Sequence, residues 1–224
     1  MAVESAEPGT TRPGGRTARV REAVLRAAGD ALAEQGFAHL DLADVARRAD
    51  VGKTTVYRRW GTVTGLVADL LKDMAEQSLP RTETGSLLGD LKANARLVHR
   101  TLTDPRQGEL FKALIAAATC DTRTADALHH FYRTRIEEWA PCVRQAVGRG
   151  EVPAGTDPHE VIRAVSAPLY YRLLASGDPL DQAAADRAAE AAAAAARAGA
   201  YVRHAAPEGM TGQARTEDSQ QADG

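Results

Sequence analysis

Six consecutive alanines at residues 191–196, inside the run QAAADRAAEAAAAAARAGA, constrain the fold of this chain more than any other feature. Alanine is the best helix former and a poor strand former, and its small side chain lets helix axes approach closely. Elsewhere, apolar residues recur at intervals of three and four. Runs of alternating Val, Ile, Thr and Tyr are absent, and no Asn-Gly or Asp-Gly pair joins two such runs into a hairpin. An all-α chain of about nine helices is expected. Of its 224 residues, 44% are apolar but only 4% aromatic, so aliphatic side chains and alanine must fill the core.

The two cysteines, Cys120 and Cys142, are too few for a disulfide framework and lack CxxC spacing, which points to the reducing cytoplasm. The opening stretch MAVESAEPGTTRPGG has no apolar core of a signal peptide, and no segment offers about 18 consecutive apolar residues. A cytoplasmic protein with no membrane partner is expected. The net charge of −2 is unevenly spread: residues 10–60 hold 10 Lys or Arg against 6 Asp or Glu, and residues 61–224 hold 18 against 22. A basic head on an acidic body suggests that only the head meets a polyanion.

Residues 1–15 are polar and carry Pro8, Gly9, Pro13, Gly14 and Gly15, which predicts a disordered basic arm. A helix is predicted over 17–35, with Val20, Val24, Ala27, Ala28, Ala31 and Leu32 in one stripe, ended by Gly36. Phe37 and Leu40 plug the core. Asp41 is the N-cap of a short second helix, buried through Leu42, Val45, Ala46 and Ala49. After the turn Asp50-Val51-Gly52, a third helix starts near Lys53. Val56 and Trp60, four apart, anchor it, so Lys53, Thr54, Thr55, Tyr57, Arg58 and Arg59 are presented outward. Two helices joined by a short turn, the second with a basic, hydroxyl-rich face, describe a helix-turn-helix DNA reader. Arginine suits guanine edges and phosphates, and threonine and tyrosine hydroxyls reach phosphate oxygens. An amphipathic helix with a merely solvated basic face has the same spacing. The alternative function is a helical dimeric interaction module whose basic head binds protein or RNA.

The run RVREAVLRAAGDALAEQGFAHLDLADVARRADVGKTTVYRRWGTVTGLVADLL, residues 19–71, resembles the DNA-binding head of the TetR/AcrR transcriptional regulators. It has the Ala-rich first helix ending in E-x-G-F, the short D-V-A helix, the segment V-x-K-x-T-V-Y-x-x-W and the following L-V helix. The stretch PLYYRLLASGDPLD, residues 168–181, looks like the eighth-helix region of one subgroup. The resemblance implies a three-helix head over 16–63 and a ligand-binding and dimerisation body over 64–206; the polar run PEGMTGQARTEDSQQADG predicts a disordered tail at 207–224. It implies a homodimer through the last two helices, double-stranded DNA as partner and an unknown small-molecule effector. The residues expected at DNA are Arg16, Arg47, Arg48, Lys53, Thr54, Thr55, Tyr57, Arg58, Arg59 and Thr62. Two positions depart from the pattern. The family's lysine at the start of the fourth helix falls in Thr62-Val63-Thr64-Gly65-Leu66, and its Ser or Thr at the start of the second helix is Asp41.

Leu97, Phe111, Leu114, Phe131 and Trp139 are candidate linings of the implied pocket; plain core is the competing reading for each. Pro141 just after Trp139 should kink that helix and open space. Val165, Leu169 and Leu173 are the expected dimer contacts, since apolar residues over 158–176 and alanines over 181–205 exceed what one internal face needs. No metal, cofactor or catalytic residue is expected. His129 and His130 are adjacent and diverge by about 100° on a helix, with no HExxH or Cys/His cluster. GxSxG is absent, and Gly52-Lys53-Thr54 lacks the upstream glycine of a phosphate-binding loop.

Overall fold

The structure, a computed structural model, describes residues 13–77, 81 and 83–203. Helix α1 spans Pro13–Gln35 and is followed by a 3-10 turn, Phe37–His39. Then come α2 (Leu42–Arg48), α3 (Lys53–Trp60), α4 (Val63–Glu76), α5 (Leu87–Thr103), α6 (Pro105–Cys120), α7 (Thr122–Gly148), α8 (Pro158–Tyr171) and α9 (Gln182–Arg197). The chain is all-α, as its alanine content and apolar spacing predict. Side-chain caps explain where the elements begin. Asp41, Thr62, Ser86, Asp104, Asp121, Asp157 and Asp181 each accept backbone N–H bonds at the start of α2 and α4 to α9. Helix α3 follows Gly52 with no side-chain cap.

Two boundaries differ from expectation. Helix α1 starts at Pro13 rather than near residue 17, because the fixed φ of proline suits a first helical position. It therefore overlaps the end of the predicted arm, whose residues 1–12 lie outside the described part, as does the tail 207–224. Helix α9, expected to reach residue 205, ends at Arg197. Gly199 at φ 80° turns the chain back, and Val202 pairs with Thr156 in an isolated antiparallel bridge. Arg203 Nε then donates to Asp157 Oδ2 at 2.7 Å. Alanine propensity favoured a longer helix, and one left-handed glycine overrode it.

Helix α4 packs along α7, α1 against α6, and α9 against both α5 and α8. The inner face of α9 is seven buried alanines, Ala184, Ala185, Ala188, Ala189, Ala192, Ala193 and Ala196. Against so shallow a face the large side chains of α8 close fully. Val165 and Leu169 are 0% exposed within this one chain, and Leu173 is half-buried against the same core. Of the expected dimer contacts, Val165 and Leu169 therefore pack within the chain, while Leu173 keeps part of its surface outside. The apolar residues that α8 and the π turn that continues it, Arg172–Ser176, leave exposed are Ala167, Pro168, Tyr171, Leu174 and Ala175, with Tyr171 63% and Leu174 46% exposed.

Candidate nucleic-acid interface and body cavity

The head is built so that α3 is held by two side chains and offers the rest. Asp41 Oδ2 accepts from Ala43 N at 3.1 Å and Asp44 N at 3.0 Å, starting α2. The turn into α3 passes through Asp50, the only non-glycine among the described residues with positive φ, at 53°. Val56 is 0% and Trp60 8% exposed, so α3 is pinned by these residues as their spacing predicts. Lys53, Thr54, Tyr57, Arg58 and Arg59 are exposed, and Thr55 is half-buried. Arg16 is exposed on α1.

Four residues expected at DNA have structural partners. Arg48 donates to Glu34 Oε2 at 2.5 Å and Asp44 Oδ2 at 2.6 Å, joining α2 to α1. Its acid partners raise its pKa, Glu34 most, and Arg47 and Arg48 hold the Asp44 carboxyl below its usual range. Thr62 Oγ1 accepts from Gly65 N at 3.0 Å as the cap of α4. Arg59 lies over the Trp60 ring, 5.1 Å from its centroid. Arg47 also bonds Asp44 but is largely exposed.

Trp60 leads to a network that the sequence reading missed. Its Nε1 donates to Asp69 Oδ2 at 2.9 Å, and the same carboxylate accepts from Arg21 Nε at 3.1 Å and NH2 at 2.9 Å. Burial works against the Asp69 charge, but the bonds from Arg21 and Trp60 outweigh it and lower its pKa. Arg21 also pairs with Asp73, so α1, α3 and α4 meet at one carboxylate pair. Gly65 permits the close approach of α3 and α4: a Cβ there would lie 2.5 Å from the Trp60 carbonyl oxygen. Nothing local in sequence marks these partners, since Arg21 and Asp69 are 48 residues apart.

In the body, a cavity of about 430 Å³ lies among α4, α5, α6, α7 and α8. Leu97, Phe111, Phe131 and Trp139 line it as expected. Leu114 does not; it is 0% exposed in solid core, which corrects that expectation. Helix α7 continues through Pro141, two residues after the cavity-lining Trp139. The sequence reading missed Asn94, Tyr132, Arg135 and Tyr170. Phe111 and Phe131 centroids stand 5.7 Å apart, and Tyr132 meets Tyr170 edge-to-face at 5.5 Å. Burial pushes the Tyr170 phenol up to about 12 and raises that of Tyr132 as well. Arg135 joins cavity to head support. It bonds Glu138 at 2.7 Å and donates to the carbonyl oxygens of Met74 and Gln77, the last at 2.7 Å, at the end of α4. Among the described residues no cluster of three His, Cys, Asp or Glu could hold a metal, and no helix is long and apolar enough to cross a membrane.

Family comparisons agree with this geometry over most of the chain. Residues 24–70 match the model of bacterial regulatory proteins of the tetR family, and residues 81–192 match the tetracyclin repressor-like C-terminal domain. The HTH-type transcriptional regulator YdeS of Bacillus subtilis is 31% identical over 161 residues, 71% of this chain and 81% of that protein. A DNA-binding transcriptional repressor TetR of Mycobacteroides abscessus is 30% identical over 72% of this chain and 85% of its own length. The crystal structure of the TetR family transcription regulator SCO0332 superposes with a TM-score of 0.62 at 28% identity, covering 79% of this chain and 97% of that one. With its helix-turn-helix on α2 and α3 and a helical body behind it, this chain belongs to the TetR family of DNA-binding transcriptional regulators.

Proposed function

We propose that the protein is a ligand-responsive repressor that binds a palindromic operator as a homodimer in the cytoplasm. The observation that carries this reading is the position of α4 between two functional surfaces. At its start α4 holds the reading helix through Gly65 and the Asp69–Trp60 bond. At its end Met74 lines the body cavity and its carbonyl accepts from Arg135, another lining residue. An occupant that displaces Arg135 changes the support of α4 and so the aim of α3. Repression rather than activation is inferred from the similar repressor of Mycobacteroides abscessus. The dimer surface we assign is the outer stripe of α8 and the π turn after it, Ala167, Pro168, Tyr171 and Leu174, in place of the buried Val165 and Leu169.

The test begins with duplexes selected from a random pool by the purified protein. A repressor of this kind selects an inverted repeat, and its affinity falls steeply as salt rises, because each phosphate contact releases counterions. Selection of a single unrepeated half-site, or affinity indifferent to salt, would refute the reading.

A further inference from the structure

The polar chemistry of the cavity limits what can occupy it. Asn94 lines it from α5, is only 5% exposed, and its side-chain Oδ1 has no hydrogen-bond partner among the described residues. A buried amide oxygen left unpaired opposes folding, which makes it a candidate for a bond supplied from outside the chain. The broad χ2 of asparagine lets the amide turn toward an occupant at little cost.

Charge in the cavity wall is already engaged. Arg135 is held by Glu138 and by the carbonyls of Met74 and Gln77 at the end of α4, and Arg163 at the rim pairs with Glu160. Among the described residues no carboxylate lines the space, and both tyrosines stay neutral because burial raises their pKa values. An ionised acid would have to compete with Glu138 and Glu160 for the Arg135 and Arg163 guanidinium groups after leaving water, and a cation would find no counter-charge among the described lining residues. The remaining wall is aromatic. Phe111, Phe131, Tyr132 and Tyr170 form a chain of tilted and edge-to-face rings 5.3–6.3 Å apart, a surface that accepts another flat ring in the same geometry.

Resting on the reading of this cavity as the effector site, we propose that it binds a neutral aromatic molecule bearing a hydrogen-bond donor, and that Asn94 recognises that donor. The class excludes aromatic carboxylates and purely aliphatic amphiphiles.

The test titrates the full chain, without DNA, with probes of one shape. These are 4-hydroxybiphenyl, 4-methylbiphenyl and biphenyl-4-carboxylate, followed by calorimetry and by the fluorescence of Trp139. The hydroxyl compound is expected to bind about tenfold more tightly than the methyl compound, the factor one well-made hydrogen bond supplies, and the carboxylate more weakly than either. Asn94→Leu should remove the hydroxyl preference while leaving 4-methylbiphenyl bound, and should raise the Tm of the free protein by deleting an unpartnered amide. Asn94→Ala, which adds no bulk, must lose the same preference. Equal binding of hydroxyl and methyl probes, or a preference that survives both substitutions, overturns the role of Asn94. Tightest binding of the carboxylate overturns the neutral class. If no probe binds, the inference and the effector cavity both fall. Release of the operator duplex is measured separately, so a hydroxyl preference without release would leave the ligand chemistry standing and sink only the regulatory reading.

Discussion

Tyr57 is 47% exposed on α3, whereas Trp60, one turn on, is buried with its indole bonded to Asp69, and the difference sets what each can contribute. Tyr57→Phe is expected to weaken binding to every duplex alike, by about 0.5–1.5 kcal/mol, the worth of one phosphate hydrogen bond. Arg58→Ala should instead change the preferred base pair at one operator position, which repeated selection from the random pool would reveal. An unchanged preference would move Arg58 to the phosphate contacts. Asp69 belongs to the support rather than to the reading surface, and pH exposes its part. Its carboxyl lies below 3.8 in the folded chain, so its stabilisation is complete above the unfolded value and is lost as pH falls through the folded one. Asp69→Asn should therefore lower Tm at neutral pH, with the gap to the parent closing as pH falls below the ordinary carboxylate value of about 4. A gap constant with pH would mean that the charge is not what stabilises. At this scale the sequence was readable where spacing is local: Val56 and Trp60 declare the buried side of α3. The bridging role of Arg48 was hidden because Glu34 becomes its neighbour only once α1 and α2 fold together, although Asp44 stands four residues back on α2 itself.

Helices were legible as elements because most carry their own start signal, and the caps at Asp41, Thr62, Asp104 and Asp181 all act as their residue types suggest. Their contacts were less so. Nothing in Thr62-Val63-Thr64-Gly65-Leu66 says that Gly65 touches the preceding helix, yet the geometry leaves no room for a Cβ. Gly65→Ala must push the α3–α4 corner apart. The expected cost is about 1–3 kcal/mol of stability from overpacking, partly offset by the helix propensity of alanine, together with weakened operator binding because α3 is re-aimed. Denaturant midpoints and fluorescence anisotropy on the selected duplex measure the two effects independently. Full affinity with full stability would show that the corner yields without moving α3.

For the whole molecule, the apolar excess of the last two helices was visible in the sequence, but which of its residues face outward was not. Periodicity places Val165 and Leu169 on one stripe without saying whether that stripe meets α9 or a second chain. The alanine face of α9 decides it, because so shallow a surface draws the larger side chains inward and leaves Tyr171 and Leu174 outside. Those two stand on the outer stripe of α8, with Ala167 and Pro168 between them and the α8 start, small enough to let a partner helix approach. A single helix-turn-helix head contacts only a few base pairs, too few to select one site in a genome, so heads must be paired to repress specifically. Leu174→Glu or Tyr171→Glu should then raise the dimer dissociation constant about 10- to 100-fold, equivalent to roughly 1.4–2.8 kcal/mol, through lost apolar burial and an unpaired charge. The variant chain should keep its Tm when measured at concentrations where the parent is also monomeric. It should bind an isolated half-site like the parent and lose its advantage on the inverted repeat. Leu169→Glu is the contrasting substitution: it buries a charge in the monomer core and should unfold the body at any concentration. Sedimentation that finds the Leu174→Glu and Tyr171→Glu chains as dimeric as the parent would remove this stripe from the interface, and a parent that is monomeric at micromolar concentration would remove the dimer.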